Sequence, residues 1–225
     1  MDKKIALSVL GFALLAIAIL LVIPTGKPTS KRLLPWKVEV LTNGSSKVLG
    51  ITLGQSTMED ARKIFQDDWE VNLFVSPEND ISVEGYFNRL FISGLKADLV
   101  LPLSLDQKTK EEMLKRGARI SQLGDGTKKV SLASADMSTI DTATIQQLTY
   151  IPAANLKGEL IENLFGKPES IIKVEKSGVE HWLYPEIGLD VLLDPNGKEV
   201  FQYVMPSRFD EVKKPLLELE SQAKK

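Results

Sequence analysis

The chain carries one histidine, His181, and a few acidic residues close enough in sequence to suggest chemistry. An imidazole works as a general base or acid only beside a nucleophile or an orienting carboxylate. In "VEHWLYP" the near candidates are Glu180 and Glu186, and no serine motif accompanies them. Strand alternation sets Val179, His181 and Leu183 on one face, so His181 reads as a structural residue. Asp190, Asp194 and Glu199 are the right types for a cation site, but "DPNGKE" lacks the alternating oxygen ligands and closing glutamate of a calcium loop. Asp194 is better placed to start the turn that Pro195 and Gly197 complete. Asp67, Asp68 and Glu70 fall where a helix should give way to a strand, and neighbouring side chains in such a loop do not converge on one substrate atom. None of these sets assigns a catalytic, metal-binding or cofactor-binding residue. The expectation is a protein that is not an enzyme and uses no cofactor.

Aromatic residues offer more. Trp182, Tyr184, Phe201 and Tyr203 alternate on two segments that read as strands, which puts them on matching faces. Such side chains fill a core with hydroxyls at its rim, or anchor an interface. They are the candidate partner-binding residues.

These positions must be held by elements, and the whole chain limits which. It has 225 residues, 28 basic and 30 acidic, for a formal charge of −2. No basic excess or aromatic-plus-arginine platform points to nucleic acid. The absence of cysteine excludes disulfides, thiolate metal sites and cysteine nucleophiles. At the N-terminus the run Ile5 to Ile23 has no charge, and at about 1.5 Å per residue it is long enough for a hydrocarbon core of roughly 30 Å. A cleavable signal would need a shorter apolar region and a small-x-small site beyond it. Here Ala16 and Ala18 lie inside the run, so residues 1–23 are expected to form an uncleaved transmembrane signal anchor. Lys3 and Lys4 favour a cytoplasmic N-terminus, while Lys27, Lys31, Arg32 and Lys37 oppose it. A short tail before one apolar segment is most simply a signal anchor, which places the C-terminal body in the periplasm. Residues 24–37, with three prolines and four basic residues, read as a juxtamembrane linker in which Trp36 sits at headgroup level or covers one end of the body.

From Val38 the pattern turns globular. "WKVEVLT" and "KVLGITLG" read as strands, followed by a helix over "STMEDARKIF" with Ser56 and Glu59 at capping-box spacing and a stripe of Met58, Ala61, Ile64 and Phe65. Three strands follow, "WEVNLFVS", "DISVEGYFNRLFISG" and "KADLVLPLSL", then a polar helix "DQKTKEEMLKRG" closed by Gly117. "KKVSLAS" and "ATIQQLTYIP" read as strands around a turn or helical piece at "DMSTID". A third helix, "NLKGELIENLFG", stops at Gly166 and Pro168, and the strands "SIIKVEK", "VEHWLYP", "GLDVLLD" and "KEVFQYVMP" come after it. The C-terminal stretch predicts an amphipathic helix broken at Pro215, with Phe209, Val212, Leu216, Leu217 and Leu219 laid on the sheet.

"NLKGELIENLFGKP" followed by "HWLYP" resembles the helix-and-sheet unit of the small outer-membrane-assembly lipoproteins (the SmpA/OmlA type) and of the β-lactamase-inhibitor-protein fold. The match lies at Ile161, Phe165, Gly166, Pro168, Trp182 and Tyr184, and fails at Asn155 and Lys157, where glycine and a hydroxyl residue are usual. "LGITLGQSTMEDARKIFQ" has the glycine and cap, Gly54 and Ser56, without the Gly-x-Pro stop. The resemblance implies an α+β fold: after the transmembrane helix, an antiparallel-sheet domain with short helices packed on it, in two divergent repeats at 38–150 and 151–225. It further implies a binding or envelope-assembly module with another envelope protein as partner. The alternatives are an enzyme acting on an envelope component and an accessory subunit of a membrane complex.

Overall fold

The computed structural model describes residues 32–223, and Leu33–Lys225 form one compact unit. The expected anchor, Ile5 to Ile23, lies outside the described residues; among those, no helix is long and apolar enough to cross a membrane.

The unit opens with a small antiparallel sheet of β1 (Glu39–Val40), β2 (Ser46–Val48) and β3 (Ile51–Thr52). "KVLGITLG" is therefore a hairpin and not one strand. Leu49 (φ 51°) and Gly50 (φ 85°) both take the left-handed conformation that a two-residue turn requires. Burial of the Leu49 side chain offsets its backbone strain. Helix α1 (Met58–Phe65) begins one residue later than the Ser56 expectation: Thr57 caps it, in a reciprocal box with Asp60. Met58 and Ala61 of the expected stripe are fully buried.

An antiparallel run of β4 (Glu70–Val75), β5 (Ile81–Ile92) and β6 (Leu95–Ser104) follows, then α2 (Gln107–Arg116), capped by Asp106. Gly117 closes α2 as expected, with an ordinary negative φ; a Cβ there would collide with Val130. After β7 (Ile120–Gln122) and β8 (Lys128–Ser131), "DMSTID" forms a helix, α3 (Met137–Thr142), leading to β9 (Thr144–Ile145) and β10 (Leu148–Pro152). Helix α4 (Gly158–Phe165) precedes the second run, β11 (Ser170–Val174), β12 (Val179–Tyr184), β13 (Leu189–Leu193) and β14 (Val200–Tyr203). The chain closes with α5 (Asp210–Ala223), which contains Pro215 without breaking there.

The fold is α+β with one large antiparallel sheet, in the order β11-β12-β13-β14-β10-β6-β5-β4-β8-β7, with β9 on β6. Strand β10 sits between β14 and β6 and joins the two meanders, so the boundary expected at 150/151 falls inside a central strand. Residues 33–36 belong to the body and not to a linker, since Leu33 packs on the core and Tyr203 Oη donates to the Pro35 carbonyl at 2.9 Å.

Register makes one face continuous. Gly85, Phe87, Leu99, Leu101, Tyr150, Phe201, Val191 and Trp182 align across it through successive cross-strand pairs. Helix α1 covers one end of that face, with Phe65 edge-on to Phe87 at 5.1 Å, and α4 the other, where Phe165 meets Tyr184 and Phe201. On the opposite face of the second run lies α5. Its Leu216 and Val212, with Phe209 just before it, form a second core with Ile172, Leu183 and Val204, while Leu217 and Leu219 stay exposed, against expectation.

Candidate functional site

Alternation explains how a polar site arises on the α5 face. With Trp182, Tyr184, Phe201 and Tyr203 turned to the main core, the neighbouring His181 and Gln202 must face the other way. Asp190 is paired in register with Leu183 and Gln202, which sets its side chain beside theirs. The short turn Pro185–Ile187, closed by Gly188 (φ 69°), fixes that register. His181 and Asp190 are therefore diagonal neighbours on adjacent strands. Their Nδ1 and Oδ2 atoms lie 2.8 Å apart, with the side chains 12 % and 2 % exposed.

This pair forms the floor of a half-open recess of about 410 Å³ between the sheet and α5. Gln146 and Gln147, in the link between β9 and β10, and Gln202 supply amides; Val204, Val212, Pro215 and Leu216 supply an apolar wall. At the rim a turn at Pro206–Arg208 presents Arg208. Its guanidinium donates twice to Glu211, through Nε at 2.8 Å and Nη2 at 2.7 Å, and through Nη1 to Gln146 Oε1 at 3.0 Å. These bonds hold the Glu211 carboxyl below its usual range and raise the Arg208 guanidinium.

The chemistry available is that of a hydrogen-bonding pocket. A proton on His181 Nδ1 donates to Asp190, leaving Nε2 to accept. Asp190 Oδ1 is buried with no protein partner, an acceptor beside the recess. The lining contains no serine, threonine, cysteine, lysine or tyrosine that could act as a nucleophile.

His181 and Asp190 were each singled out from the sequence, for different reasons, and their pairing was missed. The signal was a carboxylate inside the apolar stretch "GLDVLL": a buried charge demands a partner, and His181 is the chain's only imidazole. Glu180 instead accepts from Trp182 Nε1 at 3.3 Å, and Glu186 is exposed in the turn. Arg208, Glu211 and the three glutamines carried no sequence signal.

The remaining sets stay apart. Asp194 Oδ1 accepts from the Asn196 backbone at 2.9 Å, as a turn-former does, and lies away from buried Asp190. Asp67 accepts from the Asp68 N–H, and Glu70 pairs with Lys129 at 3.7 Å. Among the described residues no group of three His, Asp or Glu side chains could hold a metal ion. A second buried aspartate, Asp136, is bound by Arg116 at 2.6 Å and ties α2 to the start of α3.

The four candidate partner-binding aromatics face inward. Phe201 and Tyr203 are fully buried, Tyr184 nearly so, and Trp182 packs over Gly158. Their two strands are not neighbours, because β13 runs between them. The Tyr203 hydroxyl is buried and not at a rim, whereas the part-buried Tyr184 Oη donates to the Gly166 carbonyl at 3.1 Å, and burial pushes its phenol up to about 12. As they stand Tyr184, Phe201 and Tyr203 build the core, and half-buried Trp182 packs against it.

No protein-family model, no curated protein and no solved structure matches this chain.

Proposed function

We propose that the chain is a single-pass protein of the inner membrane, anchored through Ile5 to Ile23, whose periplasmic body binds an envelope protein without catalysing a reaction. The uncharged length of that run supports the anchor. A helix followed by an antiparallel meander occurs twice, α1 with β4–β6 and α4 with β11–β14, which supports the two-repeat reading and the likeness to the SmpA/OmlA lipoproteins and the β-lactamase-inhibitor fold. The observation that carries the binding reading is the recess under α5. It sets donors and acceptors of both signs around the His181–Asp190 pair. Such a pocket recognises a polar segment by hydrogen bonds.

A photo-crosslinking residue placed at Gln147 in the native membrane tests this. One defined partner should be captured there and not from Glu78 in the β4–β5 turn, and Arg208→Glu should abolish capture. Equal capture from both positions would remove the recess from the account.

The His181–Asp190 geometry favours one second reading, in which His181 Nε2 takes a proton from water attacking an envelope substrate while Asp190 holds the ring. A folded His181→Ala variant that still captures the partner but has lost a hydrolytic activity would establish it.

A further inference from the structure

At the end of the molecule where the body begins, two cavities meet. The first is an apolar groove of about 180 Å³ lined by Pro35, Trp36, Leu95, Leu156, Leu164 and Phe165. Small-molecule pockets begin near roughly 300 Å³, so this slot suits a thin apolar chain better than a compact ligand. The second is an open recess of about 400 Å³ whose charged lining is Arg89, Lys96, Lys198 and Asp98. Lys96 and Ala153 line both. Asp98 is already engaged, accepting the Arg89 backbone N–H at 2.7 Å and thereby pinning the bulge in β5. Among the described residues Arg89, Lys96 and Lys198 have no ion-pair partner.

The β5–β6 hairpin, turning through Ser93 and Gly94, contributes residues to both linings. Phe91, cross-strand partner of Lys96, is 70 % exposed there, the most exposed large apolar side chain of the described residues. An apolar tip, a narrow apolar groove and three unpaired cations at one end have a common complement: acyl chains beside a negatively charged headgroup.

We infer that this end binds an anionic phospholipid, with an acyl chain in the Trp36–Leu164 groove, the phosphate against Arg89, Lys96 and Lys198, and Phe91 dipped into the bilayer interface. The occupant follows from the charge and from sequence adjacency, since Pro35 and Trp36 come directly after Lys27, Lys31, Arg32 and the run Ile5–Ile23. The inference rests on the proposed anchor for bringing this end to a bilayer.

Full-length protein in mixed micelles, where lipid access does not require insertion, is exposed to phosphatidylglycerol or phosphatidylcholine bearing a photoactivatable acyl chain, and the adducts are mapped by mass spectrometry. The phosphatidylglycerol probe should label peptides containing Trp36, Leu95 and Leu164 about five-fold more than the phosphatidylcholine probe, since cations near an anionic surface favour it by that order. Combined Arg89→Glu, Lys96→Glu and Lys198→Glu changes should bring the two probes level. Equal labelling of the unaltered protein by both probes overturns the inference, whatever the variant does. Adducts confined to Ile5–Ile23 support the anchor and overturn the groove. Adducts in the groove with none on Ile5–Ile23 support the groove and overturn the anchor.

Discussion

Single residues in this protein are constrained by backbone geometry and by burial, and the two make different demands. Gly166 ends α4 at φ 82° and ψ −173°, a region open essentially to glycine alone, although a Cβ would meet nothing within 4 Å. Gly166→Val should therefore destabilise the fold by about 1 kcal/mol or more through backbone strain. Gly166→Ala should cost nearly as much, which urea midpoints will show. Gly188 is held twice, by φ 69° and by the Val204 carbonyl, into which a Cβ would run. Gly188→Ala should lower the midpoint further than Gly166→Ala. At the His181–Asp190 pair burial decides. His181→Leu strips Asp190 of its partner and should cost about 1–3 kcal/mol, whereas Asp190→Asn keeps an acceptor and should cost less. A His181→Leu midpoint equal to that of the unaltered protein would mean the pair contributes nothing.

At the level of elements, α5 decides whether the recess exists. It is bound to the sheet through Phe209, Val212 and Leu216, and by Lys213 to Glu169 at 3.0 Å, an exposed pair that adds little. Fully burying a leucine or phenylalanine contributes roughly 1.5–3 kcal/mol, so Phe209 and Leu216 hold the helix, with half-buried Val212 beside them. Leu216→Ala should cost about 2 kcal/mol or more, while Leu217→Ala and Leu219→Ala should stay within about 0.5 kcal/mol. Chemical unfolding followed by circular dichroism checks both. Leu216→Ala should also weaken partner capture at Gln147, because the recess loses its apolar wall.

Across the whole molecule, all four tyrosines share one electrostatic property. Tyr86, Tyr150, Tyr184 and Tyr203 have phenols raised above the ordinary value of 10, chiefly by burial, Tyr184 to about 12 and fully buried Tyr203 well above 10. A group whose folded pKa exceeds its unfolded one stabilises the fold below the unfolded value and stops doing so as pH climbs through the folded value. Stability should thus be insensitive to these groups below pH 10 and fall from about 10 to 12. An ultraviolet titration should find far less phenolate at pH 10 in the native protein than in the denatured chain, where about half is ionised. Parallel curves would contradict the burial of Tyr203 at the centre of the sheet.

Local pattern determined much of this from the sequence alone. Alternation and helical spacing located α1, α2, α4 and the strands of both meanders, because burying one face of an element imposes its period on nearby residues. The same alternation put Trp182, Tyr184, Phe201 and Tyr203 on one side of the sheet. Two-residue turns were harder: Leu49 takes the positive φ of the turn with its side chain buried, and nothing in "KVLGITLG" announces that. The uncharged run Ile5 to Ile23 and the balance of charge are likewise sequence facts. Only tertiary structure decided which face of that sheet was the core, that β10 would bridge β14 and β6, and that Arg208 and Gln146 would meet across 62 positions of chain. It also brought His181 to Asp190. Strand register is set by long-range pairing and by side chains from distant helices, and a shift of one residue would turn His181 to the core and Trp182 to the recess.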